Sequence, residues 1–291
     1  MPSIYFIGPG SIGGTLAAWL AQSPNNSVSI AARTPFSSLE LTTPDGIVRA
    51  TPRVLTNPSQ ASVSDWVFVA TKAYDSAAAA LWFPTTCGPN TRLAVVQNGV
   101  EHIERFAKHF DRNRIVPVMI DCPADRTAPG RITQRGPVRM VVPQNVNGAD
   151  FVALFAGTKV EATQSPDFTT AVWKKLCLNS MGAVSAVLAK PQGIVHHAGV
   201  ADVMRAIMRE CIAVGRAEGA KLDDALVEEI IERMRRAPPN STNSMLVDRL
   251  AGRPMEIDAR NDVIVRLGRK HGIATPMNAL MVALLEAAQS N

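Results

Sequence analysis

The stretch Ser3-Ile4-Tyr5-Phe6-Ile7-Gly8-Pro9-Gly10-Ser11-Ile12-Gly13 decides the fold of the first part of this chain. Its first five residues predict a β-strand, and the apolar residues 12–20 predict a helix that starts within it. A second strand is predicted over residues 28–32. Three glycines at this spacing, between a strand and a helix that leads to a second strand, are typical of a dinucleotide-binding turn.

Each glycine of this turn has a physical role in binding a pyrophosphate. Gly8 permits the tight turn that leaves the strand, Gly10 lets the backbone approach the anion, and Gly13 allows the helix to pack closely on the sheet. The anion then binds to the unpaired N–H groups at the start of the helix. We therefore predict that residues 8–13, called the glycine turn below, bind the cofactor.

The residues after the second strand indicate which dinucleotide binds. An NAD site usually has an acidic residue here for the ribose hydroxyls, but this chain has Ala32-Arg33-Thr34 and no acidic residue before Glu40. An arginine suits the 2′-phosphate of NADP because its guanidinium forms charge-assisted bonds to phosphate oxygens. Arg33 therefore predicts NADP. The alternative is an arginine in a surface turn before Pro35 that binds no ligand.

Length and composition favour a two-domain enzyme with an anionic small-molecule ligand. The 291 residues exceed the usual length of one domain, about 100–200 residues, and each half is long enough to bury a core. The chain has 30 Lys and Arg residues against 25 Asp and Glu residues, a net charge of +5. No window combines clustered basic residues with aromatic residues as nucleic-acid-binding surfaces do, so we expect no nucleic-acid partner.

The cysteines and the first residues predict a cytoplasmic protein. Cys87, Cys122, Cys177 and Cys211 lie far apart, with no Cys-x-x-Cys and no histidine at a zinc-site spacing, so we expect reduced thiols and no metal. The start of the chain lacks the basic and apolar regions of a signal peptide, and no apolar run is long enough to cross a bilayer. We therefore expect no membrane partner.

The first half of the chain alternates predicted strands and helices, which is typical of a parallel sheet covered by helices. Strands predicted over residues 66–69 and 92–96 are each followed by polar residues, Lys72 and Asn98 among them. Ligands of open α/β sheets bind at the carboxyl ends of the strands. We therefore expect Lys72 and Asn98 to lie near the phosphates and nicotinamide of the cofactor.

Weaker patterns surround these strands. Residues 42–46 form a turn-rich segment, and a further strand is predicted over residues 114–118. Residues 131–134 and 138–142 are strand-like, and we expect them to extend the same sheet.

The second half of the chain is predicted to be helical. Ser165-Pro166 resembles a helix start, with a hydroxyl to cap free N–H groups and a proline in the first turn, and strand patterns almost vanish beyond it. We predict an N-terminal α/β domain of the Rossmann type over residues 1–165 and an all-helical domain over residues 166–291, with the functional site in the cleft between them. Helical spacing of apolar residues predicts helices over 198–218, 224–236, 255–270 and 277–288.

One predicted helix carries two polar residues on the same face. The run Trp173-Lys174-Lys175-Leu176-Cys177-Leu178-Asn179 places Lys175 and Asn179 four residues apart, one above the other on a largely apolar helix. A lysine held on such a face is a candidate proton donor. The alternative is that Lys175 extends its ammonium group into solvent, as Lys174 is expected to do.

Two further segments of the second half are rich in polar groups. Residues 240–248 present hydroxyl and amide groups, Ser244 among them, just before a predicted helix and suit a bound carboxylate. The next predicted helix begins near Glu256 and Asp258. Acidic residues in a first turn stabilise the helix dipole, which is a sufficient explanation of Asp258.

Seven short blocks, spread in order along the chain, form a specific set. They are Gly8-Pro9-Gly10-Ser11-Ile12-Gly13, Thr71-Lys72-Ala73, Gln97-Asn98-Gly99, Trp173-x-Lys175-Leu176-x-x-Asn179, Ser244-Met245-Leu246-x-Asp248, Gly252-Arg253-Pro254-Met255-Glu256-Ile257-Asp258 and His271-Gly272-Ile273-Ala274-Thr275-Pro276-Met277-Asn278. Together they resemble the 2-dehydropantoate 2-reductase (ketopantoate reductase) family. The resemblance implies NADPH-dependent reduction of 2-dehydropantoate to pantoate, a step towards coenzyme A. It also implies a dinucleotide-binding domain joined to a helical domain like that of 6-phosphogluconate dehydrogenase.

The resemblance also assigns roles to single residues. It implies hydride transfer from NADPH to a ketone carbon, with Lys175 as the catalytic proton donor and Asn98 and Glu256 as further catalytic residues. The residues it places at the substrate are Asn98, Lys175, Asn179 and Ser244. Those it places at the cofactor, besides the glycine turn and Arg33, are Lys72, Asn98 and Glu256, with Cys122 added by spacing alone.

Three departures from the family pattern leave the substrate open. Ala183 stands four residues beyond Asn179, where family members commonly have a further asparagine, and Gln192 lies in a segment where they have another. The family's Glu-Ile-Asp-Tyr-Ile-Asn-Gly is Glu256-Ile257-Asp258-Ala259-Arg260-Asn261-Asp262 here. One lost hydrogen bond to the substrate typically costs about 0.5–1.5 kcal/mol.

Two alternatives to ketopantoate reduction therefore stay open. One is an NADP-dependent reductase of another small branched 2-oxo or 3-hydroxy acid, and the other is an NADP-binding module without catalysis. The sequence also leaves the oligomeric state open, because the apolar helix predicted over residues 277–288 fits either the core or the interface of a homodimer.

Overall fold

Residues 1–289 are described by the computed structural model, in which the chain divides into two units. Unit 1 comprises residues 1–97 and 101–168, and unit 2 comprises residues 98–100 and the chain from Thr169 onward. Ser290 and Asn291, the last residues of the predicted helical domain, lie outside the described residues.

Unit 1 combines strands with short helices. Its helices are α1 (Ser11–Leu20), α2 (Ser76–Ala80), α3 (Phe83–Thr86), α4 (His102–Phe106) and α5 (Val146–Leu154). Its strands are β1 (Ser3–Ile7), β2 (Ser27–Ala31), β3 (Leu39–Thr43), β4 (Gly46–Ala50), β5 (Arg53–Leu55), β6 (Trp66–Val69), β7 (Arg92–Val95), β8 (Ile115–Pro117), β9 (Met119–Asp121), β10 (Ala124–Ala128), β11 (Arg131–Gln134), β12 (Val138–Pro143) and β13 (Val160–Ser165).

The central sheet of unit 1 has the strand order β5-β2-β1-β6-β7-β8, and every neighbouring pair is parallel. In order of first appearance in this sheet, the strands therefore lie 3-2-1-4-5-6, which is the order of the Rossmann fold. Phe6 of β1 pairs with Ile30 on one side and Phe68 on the other. The predicted α/β fold of the Rossmann type is confirmed.

Alternate residues of the central strands bury two separate apolar layers. Phe6 and Phe68 stack at 4.6 Å between ring centroids and pack against Phe151 of α5 on one face. Tyr5 and Val67 point to the opposite face, where residues of α2, α3 and α4 cover them. A strand whose two faces are both buried has a continuous apolar sequence, as Trp66–Val69 has.

The prediction that residues 131–134 and 138–142 extend the central sheet is wrong. Strand β11 lies in a separate sheet of order β10-β11-β3-β4, and β12 lies in a third sheet of order β13-β12-β9. Buried and more exposed residues alternate along both β11 and β12, which is typical of a sheet covered on one face only. Helix α1 packs against β11 so closely that a Cβ atom on Gly14 would collide with Ile132.

The turn predicted over residues 42–46 is present and joins β3 to β4, where Thr43 pairs with Gly46. The two strands of this hairpin were not predicted, nor was β13. The residue Ser165 ends β13, and its hydroxyl oxygen accepts a hydrogen bond from the backbone N–H of Asp167. The helix expected from Ser165-Pro166 therefore begins only at Phe168.

Unit 2 is helical, and residues 169–289 contain no strand. Its helices are α6 (Phe168–Met181, of which Phe168 belongs to unit 1), α7 (Ala183–Leu188), α8 (Ala198–Ala217), α9 (Ala225–Arg236), α10 (Ser244–Leu250), α11 (Val263–His271) and α12 (Pro276–Gln289). A π-helical turn over Asp258–Asp262 leads into α11, so the helix predicted from residue 255 starts later and less regularly than expected.

Helix α8 lies at the centre of unit 2 and buries Met204, Ile207 and Met208. A Cβ atom on its Gly215 would lie 2.8 Å from the ring of Trp173, so glycine there lets α6 approach closely. Within the described part of the chain, no helix is both long and apolar enough to cross a membrane.

Candidate functional site

The glycine turn of unit 1 has three glycines in three different environments. Gly8 has a φ of +95°, which favours glycine, and a Cβ atom there would lie 2.7 Å from Thr71. A Cβ atom on Gly13 would collide with the carbonyl oxygen of Gly8, whereas one on Gly10 would meet nothing within 4 Å. The backbone at Gly10, where α1 begins, therefore faces open space that suits a pyrophosphate.

Arg33 lies two residues beyond β2 and its side chain is largely exposed. Its guanidinium forms an ion pair with the carboxylate of Asp75. A guanidinium at this position fits a 2′-phosphate group. Because Arg33 already pairs with Asp75, a bound phosphate would share it with that carboxylate.

The carboxyl ends of β6 and β7 are joined by a buried glutamine that the sequence analysis did not single out. Gln97 follows β7, and its Nε2 donates hydrogen bonds to Thr71 Oγ1 at 3.0 Å and to the Lys72 carbonyl at 3.3 Å. The half-buried Lys72 thus stands on a fixed backbone at the edge of the sheet where a ligand of this fold binds.

His102 packs beneath the same edge. One ring nitrogen lies 2.9 Å from the carbonyl oxygen of Gln97. Complete burial, with a smaller contribution from the charge of Arg105, lowers the pKa of His102 to about 3. The imidazole is therefore uncharged at neutral pH, and it supports the backbone at Gln97 without placing a charge near a bound anion.

Cys122 directly follows β9, in the three-stranded sheet of unit 1, and is half-buried. Its carbonyl oxygen accepts a hydrogen bond from Ala124 N–H at 2.9 Å. Its place beside the cofactor stays a prediction.

In unit 2, three of the predicted residues meet although they are far apart in the sequence. Asn98 Nδ2 donates a hydrogen bond to Glu256 Oε2 at 2.9 Å, and Asn179 Nδ2 lies 3.5 Å from Asn98 Oδ1. Glu256 is only 4% exposed. A buried carboxylate needs a donor, and the Asn98 amide supplies one. We call Asn98, Asn179 and Glu256 the amide–carboxylate cluster.

Lys175 lies one helical turn before Asn179 on α6. It is half-buried, whereas its neighbour Lys174 is exposed. The catalytic role of Lys175 stays a prediction.

Ser244 is the exposed first residue of α10, and a buried arginine lies directly beneath it. Arg260 Nη2 donates a hydrogen bond to Ser244 Oγ at 2.6 Å, and Arg260 is 3% exposed. Burial lowers the pKa of Arg260, while the charges of Glu256 and Asp248 act in the opposite direction. Arg260 was not among the predicted site residues. The available signal was an arginine at helical spacing from the apolar Ile257 and Ile264, at a position where the family pattern has isoleucine.

Ser244 and Arg260 are each fixed by an asparagine beside them. Asn243 caps α10 by accepting a hydrogen bond from Leu246 N–H and also donates one to the Gly182 carbonyl. Asn261, next to Arg260 in the π-helical turn, donates hydrogen bonds to the carbonyl of Ser180 and to Asn278 Oδ1, each at 3.0 Å. Single π-helical turns are frequent at functional sites because they redirect side chains out of the regular helical phase.

The departures from the family pattern have clear structural settings. Ala183 is fully buried at the start of α7, so its position offers no side-chain hydrogen bond to a ligand. The backbone N–H of Gln192 donates to the carbonyl of Ser241 at 2.8 Å. Across residues 1–289, no group of three or more His, Cys, Asp and Glu residues is arranged to hold a metal ion.

Comparison with known families gives matches over both parts of the chain. Residues 4–147 match the family described as Ketopantoate reductase PanE/ApbA. Residues 167–289 match the family described as Ketopantoate reductase PanE/ApbA C terminal.

Individual relatives extend this likeness to the full length. The chain is 53% identical over 288 residues to a 2-dehydropantoate 2-reductase of Caulobacter vibrioides, a match that covers 99% of each chain. A PanE/ApbA family ketopantoate reductase of Ralstonia eutropha JMP134 has a similar structure, with a TM-score of 0.91, 29% identity and coverage of 99% of this chain and 98% of that one. A dimeric ketopantoate reductase of Staphylococcus aureus, at 20% identity, shares the fold with a TM-score of 0.87 over 99% of each chain.

Proposed function

Because this chain belongs to the ketopantoate reductase PanE/ApbA family, we propose that it reduces 2-dehydropantoate to pantoate with NADPH, in pantothenate and coenzyme A biosynthesis. The observation that carries the proposal is the amide–carboxylate cluster of unit 2. It assembles hydrogen-bonding groups one helical turn from a sheltered lysine, in a chain 53% identical to a 2-dehydropantoate 2-reductase throughout its length.

The two functions are divided along the chain. We assign cofactor binding mainly to residues 1–165, and substrate binding and proton donation mainly to residues 166–291. Asn98 and Glu256 are the exceptions, because each has a role on both sides. Asn98 belongs to unit 2 as part of the segment Asn98–Val100, although the chain on both sides of that segment belongs to unit 1.

The cofactor-binding residues are the glycine turn, Arg33, Lys72 and Cys122, together with Asn98 and Glu256. The open backbone at Gly10 fits a pyrophosphate, and Arg33 fits the 2′-phosphate that distinguishes NADPH from NADH. NADPH, when bound, supplies a hydride to the ketone carbon of the substrate.

The side chains of unit 2 stabilise the charge that this transfer creates. As the ketone carbon accepts the hydride, negative charge develops on its oxygen, and the Lys175 ammonium stabilises that charge and donates a proton. Asn98 and Asn179 orient the carbonyl and the neighbouring hydroxyl of the substrate. Ser244 binds the substrate carboxylate, and Glu256 holds Asn98 and balances the charge of Lys175.

A second candidate substrate follows from Ala183. Its buried methyl group replaces an amide, so a branched 2-oxo acid without a hydroxyl would lose less binding energy here than in other family members. Oxidation of NADPH, followed at 340 nm with 2-dehydropantoate and with a panel of branched 2-oxo acids, distinguishes the two. We expect the highest kcat/KM with 2-dehydropantoate. Oxidation with none of these acids, despite NADPH binding, would leave an NADP-binding module without catalysis.

We also propose a cytoplasmic homodimer. The dimeric S. aureus enzyme with the same fold supports the oligomeric state. The four cysteines lie far apart in the sequence with no Cys-x-x-Cys, which supports a reducing compartment. Light scattering at several protein concentrations should give twice the mass of one chain.

A further inference from the structure

We propose that Arg260 sets the preference of this enzyme for an acidic substrate, by orienting the hydroxyl of Ser244 towards the substrate carboxylate. Arg260 is a positioning residue in this proposal, because it acts through Ser244 and does not contact the reacting atoms. The inference rests on the proposed function and extends it to a residue that the family pattern lacks.

The hydroxyl group of Ser244 is oriented by the bond that it accepts. Ser244 Oγ accepts a hydrogen bond from Arg260 Nη2 at 2.6 Å. A serine hydroxyl has one proton and two lone pairs, so accepting a bond from below leaves its own proton to be donated elsewhere. Because Ser244 is exposed, that proton is available to a ligand. A carboxylate accepts it well, since bonds to ionised acceptors are about twice as strong as neutral ones.

The positive charge of Arg260 lies close to the Ser244 hydroxyl. Arg260 is 3% exposed, and it lies beneath a surface hydroxyl where no solvent screens it. A buried guanidinium raises the electrostatic potential at the hydroxyl above it and so favours an anion over a neutral group of the same shape.

The fold does not use all the hydrogen-bond donors of Arg260. Its Nε is buried and has no hydrogen-bond partner among residues 1–289. Buried polar groups that serve only the fold are nearly always paired. Glu256 and Asp248 lie close enough to act on the charge of Arg260, and Asp248 is shared with Arg253, whose Nε lies 2.9 Å from its Oδ1. The nearby carboxylates thus favour the charged form of Arg260, while its Nε donor has no hydrogen-bond partner in the described part of the chain.

The test compares an anionic ligand with a neutral one of nearly equal shape. Calorimetry in the presence of NADP gives the Kd of pantoate and of its primary amide, and steady-state kinetics gives KM and kcat for 2-dehydropantoate. We expect the native enzyme to prefer the acid by about tenfold or more, and Arg260→Gln to remove most of that preference. We expect the variant to raise KM about tenfold while kcat changes much less, and Arg260→Lys to restore part of the affinity.

Ser244→Ala and the double variant decide whether Arg260 acts through Ser244. Ser244→Ala removes the acceptor of the Arg260 bond at an exposed position and should also remove the acid preference. If Arg260 acts only through Ser244, the effects of the two substitutions do not add. The double variant then binds pantoate about as weakly as the single variant with the lower affinity. Arg253→Gln is the matched control, since Arg253 shares Asp248 but does not contact Ser244, and its Kd values should stay within about twofold.

Each outcome has a distinct meaning. Absence of NADPH oxidation by the native enzyme with 2-dehydropantoate would contradict the proposed function. Given normal oxidation, two results would overturn the inference about Arg260. One is an acid preference that survives Ser244→Ala or Arg260→Gln in full, and the other is losses in the two single variants that multiply in the double variant. If Arg260→Gln fails to fold, Ser244→Ala still gives the decision, because an acid preference that survives it in full contradicts a role for Arg260 through Ser244.

Discussion

The glycine turn of unit 1 and the amide–carboxylate cluster of unit 2 are built on opposite physical principles. The turn presents backbone groups and depends on the absence of side chains. Gly10 leaves open space for a ligand, and Gly13 lets the helix pack closely against Gly8. The cluster presents side chains and buries charge, with Glu256 held by Asn98 and Arg260 beneath Ser244. Substitutions in the glycine turn should therefore alter stability or binding through the volume of the added side chain. Substitutions in the site of unit 2 should alter activity through charge and hydrogen bonding.

The largest effect is expected for Lys175→Ala. If unit 2 works by charge, removing the ammonium should lower kcat roughly 100- to 10,000-fold, because the interaction strengthens as the oxygen becomes negative. The Kd of NADPH, measured by fluorescence titration, should change little. Lys174→Ala is the matched control because Lys174 is the exposed neighbour on the same helix, and its kcat should be close to the native value. Equal kcat values for the native enzyme and Lys175→Ala would refute the assignment.

The next effect concerns the one buried histidine at the sheet edge of unit 1. The pKa of His102 is about 3 in the folded state against 6.5 for an ordinary histidine, so the unfolded state binds the extra proton between these values. The contribution of His102 to the free energy of unfolding should therefore fall by about 1.4 kcal/mol for each pH unit as the pH falls from 6.5 towards 3.

Denaturant unfolding at a series of pH values measures this slope. We expect His102→Gln to flatten it between pH 6 and pH 4, roughly by the amount that linkage predicts. His109→Gln is the matched control because His109 is exposed, and it should leave the slope unchanged. An unaltered slope in His102→Gln would show that His102 is not kept neutral by burial.

A smaller effect separates two glycines of the same turn. Gly13→Ala places a Cβ atom against the Gly8 carbonyl, so we expect a loss of about 1–3 kcal/mol in the free energy of unfolding without any ligand. Gly10→Ala meets nothing within 4 Å and should leave the melting temperature nearly unchanged while weakening NADPH binding about tenfold. Thermal unfolding and NADPH titration of both variants test the distinction, and equal destabilisation by the two would contradict it.

The smallest effect is expected at Arg33. Arg33→Gln should raise the Kd of NADPH about tenfold and leave that of NADH nearly unchanged, because only NADPH has the 2′-phosphate. Asp75→Asn should change the Kd of NADPH in the opposite direction. It removes the carboxylate paired with Arg33 and should strengthen NADPH binding slightly. Equal Kd values of the native protein for NADPH and NADH would remove Arg33 from the cofactor site.

Local sequence was sufficient for the parts of the fold that depend on neighbouring residues. The glycine turn and the buried strand over residues 66–69 follow from short patterns, and the structure has both. The assignment of residues 131–134 to the central sheet failed because sheet partners are chosen over long range. The alternating burial of β11 and β12 was a usable signal, since strands buried on both faces do not alternate.

The site of unit 2 depended on contacts that no local pattern contains. Asn98 and Glu256 are 158 positions apart, and only the family resemblance suggested that both belong to one site. Arg260 was missed because helical periodicity assigns its position to an apolar core, and periodicity does not predict a π-helical turn or a buried ion. The roles of the individual site residues stay predictions for the experiments above.

Asn98–Val100 belongs to unit 2, although the chain on both sides of it belongs to unit 1. The helical part is therefore not encoded by one continuous stretch of the gene. A polypeptide that starts at Thr169 would contain Glu256 without the Asn98 amide that donates a hydrogen bond to it. Recombination between relatives with a crossover near residue 169 would take Asn98 from one parent and Glu256 from the other. Such a chimaera has the hydrogen-bonded pair only where the first parent has the asparagine and the second has the glutamate.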